Sequence, residues 1–185
     1  MKTNLWIPTV LLTVFVVAIS CVKDTDFEQA SDITARPVVE LNLIHFDVAA
    51  GDFYDETTGT SRLTLSDTTE IRFLDDSGLQ ESLLRAEFFF EFTNSIPRNF
   101  DVTFQFLSEA LDTTYTAQTF VNEGTTTVPV ITTFEEIVEG TEILDLTSAD
   151  RVVVNVTIPE ANAELEGALR LKSKTTYFLE ITERE

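Results

Sequence analysis

The sequence predicts an all-β protein, an antiparallel β-sandwich of seven to nine strands with one short helix, and two observations carry that reading. Apolar residues recur with a period of two: Ala86, Phe88, Phe90 and Phe92 alternate with Glu87, Phe89, Glu91 and Thr93, and Phe100, Val102, Phe104 and Phe106 alternate with Asp101, Thr103 and Gln105. Successive side chains of a strand point to opposite faces, so this spacing buries one aromatic row and leaves the other side mostly polar. Short β-branched and aromatic runs also recur between clusters of turn-forming residues, the spacing of two packed sheets. Cys21 is the only cysteine, so no internal disulfide forms and packing must hold whatever fold results.

In chain order, residues 38–48 are apolar and β-branched and read as the opening strand, and residues 63–74 carry two short runs split near Asp67. The two aromatic segments flank Asn94, Ser95, Pro97, Arg98 and Asn99, which favour turns, and together they read as a hairpin with one Phe-rich face buried. Residues 115–121 alternate with threonines and form the next strand. A helix is expected over 134–139, because Thr133 and Glu136 have capping-box spacing and Gly140 stands just past its end. Val152, Val154, Val156 and Ile158 face one way, and Val153, Asn155 and Thr157 the other, until Pro159 stops the run. Residues 165–172 fit helix and strand equally well, and Tyr177, Leu179 and Ile181 mark the last strand. The layout resembles immunoglobulin-like domains in architecture alone. Tyr177 is a candidate for their tyrosine corner, whereas the paired cysteines are missing and the only tryptophan, Trp6, precedes the domain.

The first twenty residues differ in kind from the rest. Lys2 gives a positive start, residues 5–19 are apolar, and the run is too short and too interrupted by Pro8, Thr9 and Thr13 to read as a membrane span. It ends Ala18-Ile19-Ser20-Cys21, which resembles the lipobox of bacterial lipoproteins, with Ala18 where that family more often has Leu. The resemblance implies cleavage before Cys21 and lipid attached to its thiol; an ordinary secreted protein with one unpaired thiol is the alternative. Lys23, Asp24, Asp26 and Glu28 follow at once, similar to the charged export signal of surface lipoproteins of the Bacteroidota. That likeness implies an outer-membrane lipoprotein, displayed at the surface in preference to the periplasmic side. The expected division is a signal peptide over 1–20, an acidic flexible tether over 21–36 and a sandwich domain over 37–185.

With 32 acidic against 12 basic residues and a net charge of −20, the chain is a poor partner for nucleic acid, whose phosphates are held by clustered Lys and Arg. Catalytic raw material is scarce. His45 is the sole histidine and reads as a structural residue on a sheet face, Cys21 is committed to lipid, and no Gly-x-Ser-x-Gly elbow occurs. No cofactor is implied beyond calcium, for which Asp52, Asp55 and Glu56 cluster in a turn-like segment and Asp75 with Asp76 form a second acidic pair. Phe53 and Tyr54, beside those carboxylates, are the candidate ligand-binding aromatics. The expected function is a noncatalytic binding or adhesion module that meets a glycan or an envelope protein. A structural subunit of an envelope or fimbria-like assembly is the alternative, and a carboxylate-dependent glycoside hydrolase comes third.

Overall fold

The alternating segments form strands, each hydrogen-bonded to at least one neighbour in its sheet. The computed structural model describes residues 34–182. In chain order these hold β1 (Thr34–Ala35), β2 (Val38–Ala49), β3 (Tyr54–Asp55), β4 (Thr60–Ser61), β5 (Thr64–Glu70), β6 (Leu83–Asn94), β7 (Phe100–Leu107), β8 (Thr113–Val121), β9 (Val130–Glu139), β10 (Arg151–Thr157), β11 (Ala168–Leu179) and β12 (Ile181–Thr182). Two short helices, α1 (Ser77–Ser82) and α2 (Glu142–Thr147), and 3-10 turns at Ala50–Phe53 and Arg72–Asp75 complete the inventory. Ala35–Ile181 forms one compact unit, which the following describes.

Eight strands make two four-stranded antiparallel sheets, ordered β2-β11-β6-β9 and β5-β10-β7-β8. Rings from β6 and β7 meet between them: Phe90 stacks on Phe104 at 4.0 Å between centroids, and Phe88 tilts against Phe106 at 5.2 Å. The protein is therefore the antiparallel β-sandwich that the period of two predicts. Among the sandwich strands only β7 and β8 are both consecutive and hydrogen-bonded; every other link carries the chain from one sheet to the other. This is the strand order of a jelly roll, two Greek keys wound together, and it differs from the order of immunoglobulin-type sandwiches.

The crossing topology corrects the expected hairpin. β6 pairs with β11 on one side and β9 on the other, so β7 has no place beside it and lies in the opposite sheet. The aromatic rows are buried as the sequence predicts, but they face each other across the core. Residues 95–99 form an arch between the sheets, and Asn94, fully buried, holds it. Its Oδ1 accepts from the Ile96 N–H at 2.8 Å, and its Nδ2 donates to the carbonyls of Arg98 and Asn122 at 2.8 and 2.9 Å. Two glycines pack on this arch. A Cβ on Gly124 would stand 2.0 Å from the Asn94 carbonyl oxygen, and one on Gly167, at φ +110°, 2.3 Å from that of Ser95.

Other expectations change at the edges. The helix expected over 134–139 is part of β9, which pairs with β6 from Arg85↔Glu139 to Asn94↔Val130. Phe134 and Val138, four apart, suit either period; Val130, Ile131, Thr132, Thr133 and Ile137 favour a strand, and β6 needs a partner on that side. The helix starts instead after Gly140, at φ +64°, and buries Ile143 and Leu146. β5 runs unbroken through Asp67, whose exposed side chain costs an outermost strand little, and residues 168–172 of the ambiguous stretch belong to β11. β2 changes phase at Leu43 and Ile44, which share one position opposite β11: the Ser173 hydroxyl accepts from the Ile44 N–H at 3.0 Å and donates to the Ile44 carbonyl at 2.6 Å. That bulge lets Val39 and Leu43 pack on the core before it, and Phe46 and Val48 after it.

On β11 the Tyr177 ring, 2% exposed, stacks at 4.5 Å on Phe73 of the 3-10 turn that follows β5. Burial pushes its phenol up to about 12, against a weaker opposing effect of the Thr175 hydroxyl.

Three outcomes follow. Phe90→Ala, which leaves a ring-sized cavity among Phe88, Phe104 and Phe134, is expected to lower unfolding free energy by about 3–5 kcal/mol in urea titration. Gly124→Ala should cost about 3 kcal/mol or more because its contacts are backbone, whereas Gly51→Ala, whose Cβ meets nothing within 4 Å, should stay within about 1 kcal/mol. A raised phenol pKa stabilises the fold fully below the unfolded value of 10.0, and that stability is lost as pH rises towards about 12. Two units correspond to about 2–3 kcal/mol, so Tyr177→Phe should flatten the fall of stability across that window.

Candidate functional site

The outward side of the β2-β11-β6-β9 sheet is built by the same alternation that fills the core. Residues pointing away from the core on β6 are Arg85, Glu87, Phe89 and Glu91, and those on β11 are Lys172, Lys174, Thr176 and Phe178. Antiparallel register aligns them in rows: Phe178, Arg85 and Glu139 across β11, β6 and β9; then Thr176, Glu87 and Ile137; then Lys174, Phe89 and Glu135. Between these rows lies an open groove of about 690 Å³, bordered by Val38 and Glu40 of β2 and floored by Phe89 and Phe178. The Arg85 guanidinium carbon sits 5.2 Å from the centre of the Phe178 ring and pairs with Glu87, while Lys174 Nζ reaches Glu40 at 3.2 Å. Such a surface offers aromatic area for stacking together with donors and acceptors of both charges. The Lys174–Glu40 pair is solvent-exposed and contributes little to stability, whereas the Arg85–Glu87 pair is half-buried.

The acidic turn picked out in the sequence is engaged in its own folding. Asp52 Oδ2 accepts from the Ala49 N–H at 2.8 Å and closes the 3-10 turn. Asp55 Oδ1 accepts from the N–H groups of Thr58 and Thr57 at 3.3 and 2.9 Å, and Oδ2 takes an Arg62 guanidinium at 3.1 Å. These bonds, Thr58 foremost, hold its carboxyl below the usual 3.8. Glu56 is exposed beside them. Asp76 caps α1 by accepting from the Leu79 N–H at 3.0 Å, and Asp75 ends the preceding 3-10 turn. Among the described residues no three His, Cys, Asp or Glu side chains converge as a metal site requires. Phe53, proposed from sequence as a ligand contact, is instead fully buried, with its ring 5.6 Å from that of Phe100. Tyr54 remains half-buried in β3, opposite Ser61. The turn is thus a structural device: its aromatic ring serves the core, and its aspartates satisfy backbone N–H groups.

His45 is exposed on β2 opposite Lys172. Cys21, Lys23, Asp24, Asp26 and Glu28 lie outside the described residues. Arg85, Phe89, Lys174 and Phe178 are the residues that sequence reasoning missed. One signal for them was present, since Phe89 stands between Glu87 and Glu91 on the side of β6 that the alternation assigns to water. The convergence of β11 on it was not, because that pairing joins residues far apart in the chain.

No protein-family model matches the chain, and no curated protein does. Solved structures of low similarity do. The infectious bursal disease virus VP2 subviral particle aligns over 78% of this chain and 32% of its own, at 12% identity and a TM-score of 0.46. A Parabacteroides distasonis protein assigned as secreted aligns over 84% and 40%, at 13% identity and 0.41. The enzymatically active domain of bacteriophage CBA120 tailspike protein 4 aligns over 78% and 19%, at 8% and 0.39. The chain thus spans about a third of the capsid protein it matches. Similarity at this level conveys no ligand, partner or activity.

Proposed function

We propose that the protein is a lipid-anchored envelope protein, held by acyl chains on Cys21, whose sandwich is a noncatalytic binding module displayed at the cell surface. The observation that carries the binding assignment is the groove over Phe89 and Phe178, edged by Arg85, Lys174, Glu87 and Glu135. Two aromatic rings on a rigid sheet, surrounded by exposed polar groups of both signs, suit a glycan or a segment of an envelope protein: the rings supply area and the rim supplies orientation. Jelly rolls carry lectin and capsid functions alike, so the assignment rests on this face and not on the fold. Of the groove's carboxylates near the rings, Glu135 stands open to water and Glu87 is paired with Arg85, unlike the enclosed pair with which glycosidases work. The anchor assignment rests on the apolar run, the small Ser20 and the unique Cys21 falling in one place. Stable anchoring takes more than one acyl chain, as the lipoprotein resemblance implies.

Cys21→Ala is expected to abolish palmitate incorporation and move the protein from the membrane to the soluble fraction; unchanged fractionation would refute the anchor. Protease added to intact cells should degrade the wild-type protein, and full protection would place it on the inner side of the outer membrane. For the groove, the soluble Cys21→Ala protein is applied to a glycan and envelope-peptide array. Any ligand retained should bind about tenfold or more weakly when Phe89→Ser is added, the loss of roughly one aromatic contact. Retention that ignores this change would move the binding site elsewhere.

A further inference from the structure

An outermost strand presents a row of unpaired N–H and C=O groups, and soluble proteins shield it with charge, proline or a bulge. Three of the four outermost strands of this sandwich are shielded. β2 carries Glu40 and Asp47 and bulges at Leu43 and Ile44; β5 carries Asp67 and Glu70; β9 carries Glu135, Glu136 and Glu139. The fourth, β8, pairs with β7 alone and bulges only at its start, where Thr114 is the extra residue, and it reads TTYTAQTFV, nine residues without a charge, a proline or a glycine. In a chain of net charge −20 such a stretch stands out. It is also rigidly held: Ala117 and Val121 are buried, and the Tyr115 hydroxyl donates to Glu136 of β9. Outward, Thr116, Gln118 and Phe120 are exposed, Phe120 by 51%.

We propose that the free edge of β8 accepts an extended segment of a partner protein by strand addition, and that this segment has an uncharged, β-branched or aromatic centre with Lys or Arg on its flanks. Backbone hydrogen bonds to an uncharged template set the centre, since an acidic or basic residue there would lose solvent without finding a counter-charge. The flanks follow from what surrounds β8. Glu109 and Asp112 precede it, Glu123 follows it, and Glu142 of α2 is close enough to act on the Tyr115 phenol. A second copy is the poorer occupant, because edge-to-edge docking would bring the same acids, and the glutamates of β9, against their own kind. The inference does not depend on the lipid anchor or on the groove of the other sheet.

The probe is a synthetic peptide of the β8 sequence with two lysines added at each end, titrated into the soluble Cys21→Ala protein. Amide signals of Thr113–Val121 should shift saturably, and their hydrogen exchange should slow. A peptide with glutamates in place of the added lysines should bind about tenfold or more weakly, as should the lysine peptide to the variant Gln118→Lys/Phe120→Lys, whose exposed positions leave the melting temperature unchanged. No change at these amides with peptide at about 1 mM would overturn the proposal, as would equal binding of both peptides. Sedimentation that shows concentration-dependent dimers of the protein, abolished by the same double substitution, would replace the partner segment with a second copy.

Discussion

The passage of the chain from β6 to β7 is the constraint on which the other features depend. The crossing segment buries Ile96 and half-buries Ser95, Arg98 and Asn99, so the backbone donors and acceptors it takes out of water must find protein partners. Asn94 supplies three such partners at once: its amide oxygen serves the arch it begins, and its amide nitrogen reaches both the end of that arch and the segment after β8. Ser95 joins the arch to the start of β11, its N–H donating to the Ala168 carbonyl and its hydroxyl accepting from the Ala168 N–H. Ile96 accepts from the Gly124 N–H at 3.1 Å. Residues from three distant parts of the sequence therefore meet on five residues of arch, and only glycine at 124 and 167 allows them to approach so closely. Because β9 and β11 begin near this point, the arch helps fix their register on β6, and that register brings Phe178 and Phe89 onto one groove.

This explains which parts of the fold were legible in the sequence. A period of two reports which side of a strand meets the core, and it did so for Phe88, Phe90 and Phe92, for Phe100 to Phe106, and for Val152, Val154 and Val156, all buried on the predicted faces. It is silent on the neighbour across the ladder. A loop of turn-forming residues between two alternating strands suits a hairpin and an inter-sheet arch alike, and the difference lies in contacts with residues 122–124 and 167–168, which no local pattern encodes. The strand read as a helix illustrates the same limit: a capping-box spacing is a local signal, and the unpaired side of β6 outweighed it.

The candidate site separated along similar lines. Asp52, Asp55, Phe53 and Tyr54 are adjacent in sequence and suggested a joint role, yet a short turn sends alternate side chains to different places. Phe53 enters the core beside Phe100, and the two aspartates bond backbone N–H groups of their own turn, which Gly59 completes at φ +69°. Proximity in sequence thus reflected the chemistry of a turn, where Asp is favoured because its carboxylate can cap nearby N–H groups. The groove shows the opposite case. Its residues are dispersed through β2, β6, β9 and β11, and they become neighbours only through sheet pairing.

The charge distribution gives that face its character. A net charge of −20 describes the molecule from afar, but salt screens exposed charges beyond roughly 8–10 Å, so an approaching ligand responds to the local pattern. On the outward side of β11, Arg170, Lys172 and Lys174 occupy successive positions, with Arg85 on neighbouring β6. Asp47 opposite Arg170, Glu40 diagonal to Lys174 and Glu87 two residues along β6 from Arg85 are their ion-pair partners. This sheet therefore concentrates basic side chains of an acidic protein and pairs them with carboxylates of β2 and β6. The carboxylates still outnumber the bases on this side, since Glu91 of β6 and Glu135 and Glu139 of β9 stand among them, so the pairing offsets the local negative charge without cancelling it.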